Sequence, residues 1–119
     1  MALRCLIIDD SEDFLASARR LLEAQGLEVV GSATSRAEAV RLVDELEPDI
    51  ALVDVELGEE DGIALADDLV VRAPETGVVL ISSHDRSELS ELLSESRAAG
   101  FLPKTDLGVP ALRSLLGLA

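Results

Sequence analysis

The 119-residue chain carries 24 acidic and 10 basic residues, a formal net charge of -14, and its apolar content is almost entirely aliphatic. This excess of negative charge argues against binding by this chain alone to the phosphate backbone of nucleic acid or to an anionic membrane surface. With no apolar run of about 18 residues, no signal-peptide start and a lone Cys5 that cannot form an internal disulfide, the sequence predicts a soluble cytoplasmic protein.

The first strand and helix follow from the apolar pattern near the N-terminus. Residues 3–8 form a nearly continuous apolar run with β-branched side chains that ends at Asp9. Such a run is typical of a strand buried on both faces of a parallel sheet. Ser11 then offers an N-cap for a helix whose apolar residues recur at helical spacing until Gly26. Cys5 is interpreted as a small buried hydrophobic residue of this strand.

The same alternation continues to the end of the chain. Ser35 is placed to cap a second helix, which Pro48 ends, and a third helical pattern stops before Pro74. Ser87 is placed to cap a fourth helix, and Pro110 opens a fifth. Four further strands are predicted, at 27–33, 50–54, 78–81 and 101–102.

Five strands that alternate with five helices define the predicted fold class. Each connection is too short for anything but a helical crossover, so the strands form an α/β parallel sheet covered on both faces. We expect residues 1–119 to form one domain, because a chain of this length can bury about two-thirds of its unfolded surface. In such sheets, ligands bind beyond the carboxyl ends of the strands.

Polar side chains gather at that edge of the predicted sheet. They are Asp9 and Asp10 after the first strand, Asp54 at the end of the third, Ser82 after the fourth and Lys104 after the fifth. Three carboxylates without histidine or thiolate partners favour a hard cation such as Mg²⁺. A phosphoryl group drawn to this site would need a cation and a hydroxyl donor, which Lys104 and Ser82 supply.

Two other polar features have simpler interpretations. His84, the only histidine, has no nucleophile or metal ligand at a recognisable spacing, so we predict a histidine on a surface loop. The acidic run at 59–61 is predicted to be a solvated loop and not a further set of metal ligands.

The assembled pattern resembles the receiver domain of two-component response regulators over essentially the whole chain. The matching motifs are Ile8-Asp9-Asp10, Asp54 with Gly62 eight residues on, Ser82-Ser83-His84, and Gly100-Phe101-Leu102-Pro103-Lys104. The resemblance implies a flavodoxin-like, doubly wound five-stranded parallel sheet of strand order 2-1-3-4-5 with five helices.

The same resemblance implies a phosphorylation chemistry. Asp54 would be the phosphoacceptor, and Mg²⁺ would be held by Asp9, Asp10, Asp54 and the backbone carbonyl of Glu56. The phosphoryl group would come from the phosphohistidine of a sensor histidine kinase or a phosphotransfer protein, as in a phosphorelay. The receiver would catalyse its own phosphorylation and later dephosphorylation, so it would be a signalling protein and not a conventional metabolic enzyme.

A conformational switch is also implied by the resemblance. Lys104 would pair with the aspartyl phosphate, Ser82 would move to bond it, and Phe101 would turn inward in response. These changes would alter the face formed by the fourth helix, fifth strand and fifth helix. That face would contact a downstream protein partner or a second copy of the chain.

Four positions bear on how this sequence differs from the family pattern. Gly58 stands where proline is frequent, which is expected to loosen the loop after the phosphoacceptor. Thr105 follows Lys104 where proline is frequent, so a cis peptide bond is not supported there. Glu56 and His84 occupy positions that vary in the family and tune how long the phosphate lasts.

Two other functions remain open at this point. One is a receiver-like interaction module that no longer depends on phosphorylation. The other is a Mg²⁺-dependent phosphatase with an aspartate nucleophile, although the second aspartate usual in that class is Glu56 here. We expect a stand-alone receiver, with a piece of a longer transcription regulator as the alternative.

Overall fold

A five-stranded parallel sheet forms the centre of the computed structural model, which describes residues 2–84 and 86–118. The strands are β1 (Arg4–Ile8), β2 (Glu28–Ala33), β3 (Ile50–Asp54), β4 (Gly77–Ser82) and β5 (Gly100–Pro103). Their order is β2-β1-β3-β4-β5, and every neighbouring pair is parallel. The predicted flavodoxin-like sheet and its strand order are confirmed.

Helices connect the strands and cover both faces of the sheet. They are α1 (Glu12–Ala24), α2 (Arg36–Leu46), α3 (Gly62–Arg72), α4 (Ser90–Ser94) and α5 (Val109–Leu115). Short 3-10 helices at Arg86–Leu89 and Lys104–Asp106 precede α4 and follow β5. Within the described ranges, no helix combines the length and hydropathy needed to span a membrane.

Alternating strand residues build two apolar cores, one on each face. Leu6, Ala51 and Leu80 belong to the core that α2, α3 and α4 cover. Successive side chains along a strand alternate between the two faces of the sheet. The sequence neighbours of these residues therefore point to the other face and pack under α1 and α5. Cys5 is fully buried in this second core, as predicted, and burial raises the pKa of its thiol to about 12.

The helix caps match the sequence predictions at α1 and α2 and differ from them at α3 and α4. The hydroxyls of Ser11 and Ser35 each accept a hydrogen bond of 3.3 Å from the backbone N–H three residues on. The prediction that Ser87 caps the fourth helix is wrong, because Ser87 lies inside a first turn wound as a 3-10 helix and Leu89 stands at the N-cap. Asp61, assigned from sequence to a solvated loop, caps α3 through two hydrogen bonds of 2.9 and 3.1 Å.

A two-stranded hairpin follows β3, formed by Glu56–Leu57 and Glu60–Asp61. Gly58 begins its turn with φ +61°, in the left-handed region. Proline fixes φ near -65°, so it cannot adopt the backbone that this glycine adopts. The glycine therefore gives this loop a turn that the more frequent proline would exclude. No cis peptide bond occurs among the described residues, which include Lys104 and Thr105.

Candidate functional site

The register of the sheet brings the predicted site residues to one edge. Ile8 pairs with Val53 and Ser82 pairs with Pro103, so the residues after β1, β3, β4 and β5 emerge together. One pocket of about 260 Å³ opens at this edge. Its lining residues are Asp9, Asp10, Ser11, Asp54, Glu56, Gly58, Ser82, Ser83, His84 and Lys104.

Three carboxylates converge inside this pocket. Asp9, Asp10 and Asp54 each offer a carboxylate oxygen, and these oxygens all lie within 4.8 Å of one another. Asp9 and Asp54 are buried, while Asp10 is exposed to solvent. Carboxylates this close repel one another strongly unless positive charge is supplied.

Asp54 lies at the centre of the site, and the pKa of its carboxyl group is raised. Its Oδ1 accepts a hydrogen bond of 3.1 Å from the Glu56 N–H, and its Oδ2 lies 3.4 Å from Lys104 Nζ. Burial and, secondly, the negative charge of Asp9 raise the pKa of Asp54 to about 6. Because the charged form is disfavoured, the site gains from any additional cation that reaches it.

Lys104 supplies the positive charge that the site already contains. Its ammonium lies 2.6 Å from Asp9 Oδ2 and 3.4 Å from Asp54 Oδ2, and its side chain is 17% exposed. Burial alone would lower the pKa of Lys104, but its contacts with Asp9 and Asp54 outweigh burial and leave that pKa raised. One ammonium therefore serves two buried carboxylates.

The donor set fits Mg²⁺. Asp9 Oδ1 accepts the Ser11 N–H at 2.8 Å, and Asp9 Oδ2 is buried with the Lys104 ammonium 2.6 Å away. Three converging carboxylates served by a single ammonium form the hard-oxygen environment that Mg²⁺ prefers. Asp9, Asp10 and Asp54 are thus candidate ligands, and the Glu56 backbone carbonyl, the fourth ligand that the resemblance implied, stays a prediction.

The loop after β4 contributes a hydroxyl and an unexpected contact. Ser82 is buried, and its Oγ accepts the backbone N–H of His84 at 3.0 Å. His84 lies on a surface loop as predicted, but its Nε2 is 3.0 Å from Glu56 Oε1. The two residues identified separately as tuning positions are therefore in contact.

Phe101 lies away from the pocket lining, on β5. It is 5% exposed and packs in the first core together with Leu80 and Leu89. Phe101 is thus buried in this structure. Its movement in response to phosphate stays a prediction.

Gly62 explains the spacing of eight residues after Asp54. A Cβ at this position would lie 1.7 Å from the Asp54 carbonyl oxygen and 2.8 Å from that of Val55. The start of α3 can therefore pack directly on the backbone of the proposed phosphoacceptor only because this residue has no side chain.

Sequence reasoning also missed a second contact of the site. The ring centroid of Phe14, in the first turn of α1, lies 4.2 Å from Lys104 Nζ. Phe14 is one of only two aromatic residues in the chain, and the helix after β1 starts at the edge where Lys104 was expected. The scarcity of aromatic residues and the position of Phe14 just after the first strand are the sequence features that could have predicted this contact.

Known proteins resemble the chain along most of its length. The family model of the response regulator receiver domain matches residues 5–113. A protein-glutamate methylesterase/protein-glutamine glutaminase from Alkalilimnicola ehrlichii is 36% identical over 107 residues, which cover 87% of this chain and 27% of that protein. The chain spans less than half the length of such curated relatives.

Solved structures agree with this assignment. The signal receiver domain of a modulated diguanylate cyclase from Desulfovibrio desulfuricans G20 has a TM-score of 0.81 and 30% identity, covering 98% of this chain and 92% of that one. A Burkholderia pseudomallei response regulator with a phosphorylated aspartic acid, a calcium ion and citrate has a TM-score of 0.82 and 25% identity, covering 95% and 66%. The chain therefore belongs to the family of response regulator receiver domains.

Proposed function

We propose that this receiver domain is a phosphorylation-controlled switch in which Asp54 accepts a phosphoryl group from a phosphohistidine donor. Phosphoryl acceptance in two-component systems is the general function of the family. The observation that carries the proposal is the convergence of Asp9, Asp10 and Lys104 around a buried Asp54 carboxylate in an open pocket. The related Burkholderia pseudomallei protein carries a phosphorylated aspartic acid.

In the transfer step, an oxygen of the Asp54 carboxylate attacks the phosphorus of the phosphohistidine. The new O–P bond forms as the P–N bond breaks. The electron pair of the P–N bond leaves with the imidazole, which takes up a proton from solvent. The product is an aspartyl phosphate. The Glu56 N–H at Oδ1 orients the attacking carboxylate, because it fixes one oxygen and leaves the other facing Lys104.

Charge compensation decides whether such a step can proceed. Mg²⁺ held by Asp9, Asp10, Asp54 and the Glu56 carbonyl would supply positive charge that reduces repulsion between the carboxylates and the incoming phosphoryl group. Lys104 would move its ammonium from the carboxylates to the phosphoryl oxygens, to which it can donate charge-assisted hydrogen bonds. The same residues would favour hydrolysis of the aspartyl phosphate by water.

The output would be a change in the face formed by α4, β5 and α5. Ser82 would exchange its bond to the His84 N–H for one to the phosphate, and Phe101 would respond on the neighbouring strand. We propose that the face binds a downstream protein partner or a second copy of the chain, and that the donor is a sensor histidine kinase or phosphotransfer protein.

We also infer that residues 1–119 act as one receiver unit in the cytoplasm, where a phosphohistidine donor is charged from ATP.

The direct test is incubation with phosphoramidate and Mg²⁺ followed by intact-protein mass spectrometry. We expect a mass increase of one phosphoryl group that is lost in Asp54→Asn and kept in Asp13→Asn, a matched control at an exposed carboxylate of α1. No uptake by the wild type, or uptake that survives Asp54→Asn, would overturn the proposal. Equal partner affinity of phosphorylated and unphosphorylated protein would instead support a module independent of phosphate.

A further inference from the structure

We propose that Phe14 is a positioning residue, which holds the Lys104 ammonium at the carboxylate site through a cation–π contact. The ammonium lies 4.2 Å from the ring centroid, within the distance of about 6 Å over which such contacts are attractive. The inference rests on the proposed function, because the position of Lys104 matters for catalysis only if Lys104 serves phosphoryl transfer.

The backbone that carries the ring is anchored at the start of α1. Phe14 lies in the first turn of α1, and its backbone N–H donates to the N-cap hydroxyl of Ser11 at 3.3 Å. Its side chain is partly buried and packs against the second core. A ring on an anchored helix start that already packs against the core loses less conformational freedom on contact with the ammonium than a ring on a loop would.

The contact differs in kind from the other two that Lys104 makes. Asp9 Oδ2 and Asp54 Oδ2 are anionic oxygens, which a hard cation or an incoming phosphoryl group would engage as well. The face of an aromatic hydrocarbon ring attracts the ammonium but offers no oxygen ligand to a hard cation. The ring can therefore keep its contact with the Lys104 side chain while the ammonium exchanges carboxylate for phosphoryl oxygens.

The position of the ring also leaves the pocket open. Phe14 is absent from the described residues that line the pocket around Asp54. It contacts the ammonium from α1, so it can restrict where Lys104 lies without obstructing a phosphoryl donor. This arrangement suits a positioning residue and not a substrate-binding one.

The composition of the chain makes the contact directly observable. Lys104 is the only lysine, and Phe14 and Phe101 are the only aromatic residues. Protein labelled at lysine gives one ε-methylene signal by NMR, and we expect ring current to shift it upfield in metal-free wild type. Phe14→Leu should abolish this shift, and Phe14→Tyr should retain it. A signal that is unchanged in Phe14→Leu would overturn the contact.

The positioning role is tested by the rate of phosphoryl uptake from phosphoramidate with Mg²⁺. Phe14→Leu should lower the maximal rate about threefold or more, with little change in the donor concentration at half-maximal rate. Phe14→Tyr should restore the rate. Leu22→Val, which trims the same helix in the same core, should leave the rate unchanged while causing a comparable loss of stability in urea.

The outcomes separate this inference from the proposed function. Uptake by Phe14→Leu at the wild-type rate, while Asp54→Asn is inactive, would overturn the positioning role alone. A loss shared equally by Phe14→Leu, Phe14→Tyr and Leu22→Val would also overturn it, because it would indicate general destabilisation. Absence of uptake by the wild type would overturn the proposed function and, with it, any catalytic role of the contact.

Discussion

His84 Nε2 lies 3.0 Å from Glu56 Oε1, and both side chains line the pocket that contains Asp54. The contact joins the loops that follow β3 and β4 at the solvent side of the site. We expect this pair to restrict the approach of water to an aspartyl phosphate. Replacing either residue by alanine should therefore shorten the lifetime of the phosphate.

The expected effect of His84→Ala is an increase of about twofold to fivefold in the hydrolysis rate, the range that corresponds to one exposed side-chain contact. The measurement is the decay of phosphorylated protein, followed by intact mass after the donor is removed. The double variant with Glu56→Ala should decay no faster than either single variant, since both remove one contact. Additive effects of the two substitutions would contradict a shared role.

The pKa of Asp54 predicts an unusual pH dependence of stability in the metal-free protein. Its value of about 6 lies above the ordinary 3.8, so the folded state binds this proton more tightly than the unfolded state does. Stability is therefore lost as the pH rises from about 4 through about 6. Asp54→Asn removes this loss and should raise the free energy of unfolding at pH 7 by about 1–3 kcal/mol.

This prediction is checked by urea denaturation in EDTA at pH 5 and pH 7. The gain from Asp54→Asn should be larger at pH 7 than at pH 5, whereas Asp13→Asn should give no such difference. An Asp54→Asn variant less stable than wild type at pH 7 would show that its carboxylate is favourably paired and not strained.

Asp10 is predicted to act on metal affinity and not on folding. It is the exposed member of the carboxylate cluster, so Asp10→Ala removes a negative charge without leaving a cavity in the core. We expect Mg²⁺ affinity to fall about tenfold or more by isothermal titration calorimetry. The melting temperature of the metal-free protein should stay level or rise, because repulsion is relieved. A lower melting temperature with unchanged affinity would contradict the assigned role.

Gly62 is predicted to tolerate no side chain. The methyl group of Gly62→Ala would overlap the Asp54 carbonyl oxygen, so α3 or the end of β3 must move, at a cost of about 3 kcal/mol or more. Urea denaturation measures this cost. Gly108→Ala is the matched control, because its Cβ would meet nothing closer than 3.5 Å. Equal stability of the two variants would contradict the close packing of α3 on Asp54.

A residue of the site could be predicted from the sequence where it ends or directly follows a strand. Asp9, Asp54 and Ser82 end or follow apolar runs, and parallel strands align their carboxyl ends, so their convergence could be predicted. The start of α4 could not be predicted in the same way. Ser87 has the chemistry of an N-cap, but the first turn winds as a 3-10 helix and moves the α-helical start to Ser90.

The sequence by itself determined the fold class, the five strands and the chemical character of the strand ends, because apolar periodicity and chain connectivity are local properties of a polypeptide. Only the tertiary structure decided which side chains meet from separate loops. Glu56 contacts His84 and Phe14 contacts Lys104 because the sheet register and the helix starts set those distances. Pairings between distant segments leave no pattern in a single sequence, so they become visible only in the folded chain.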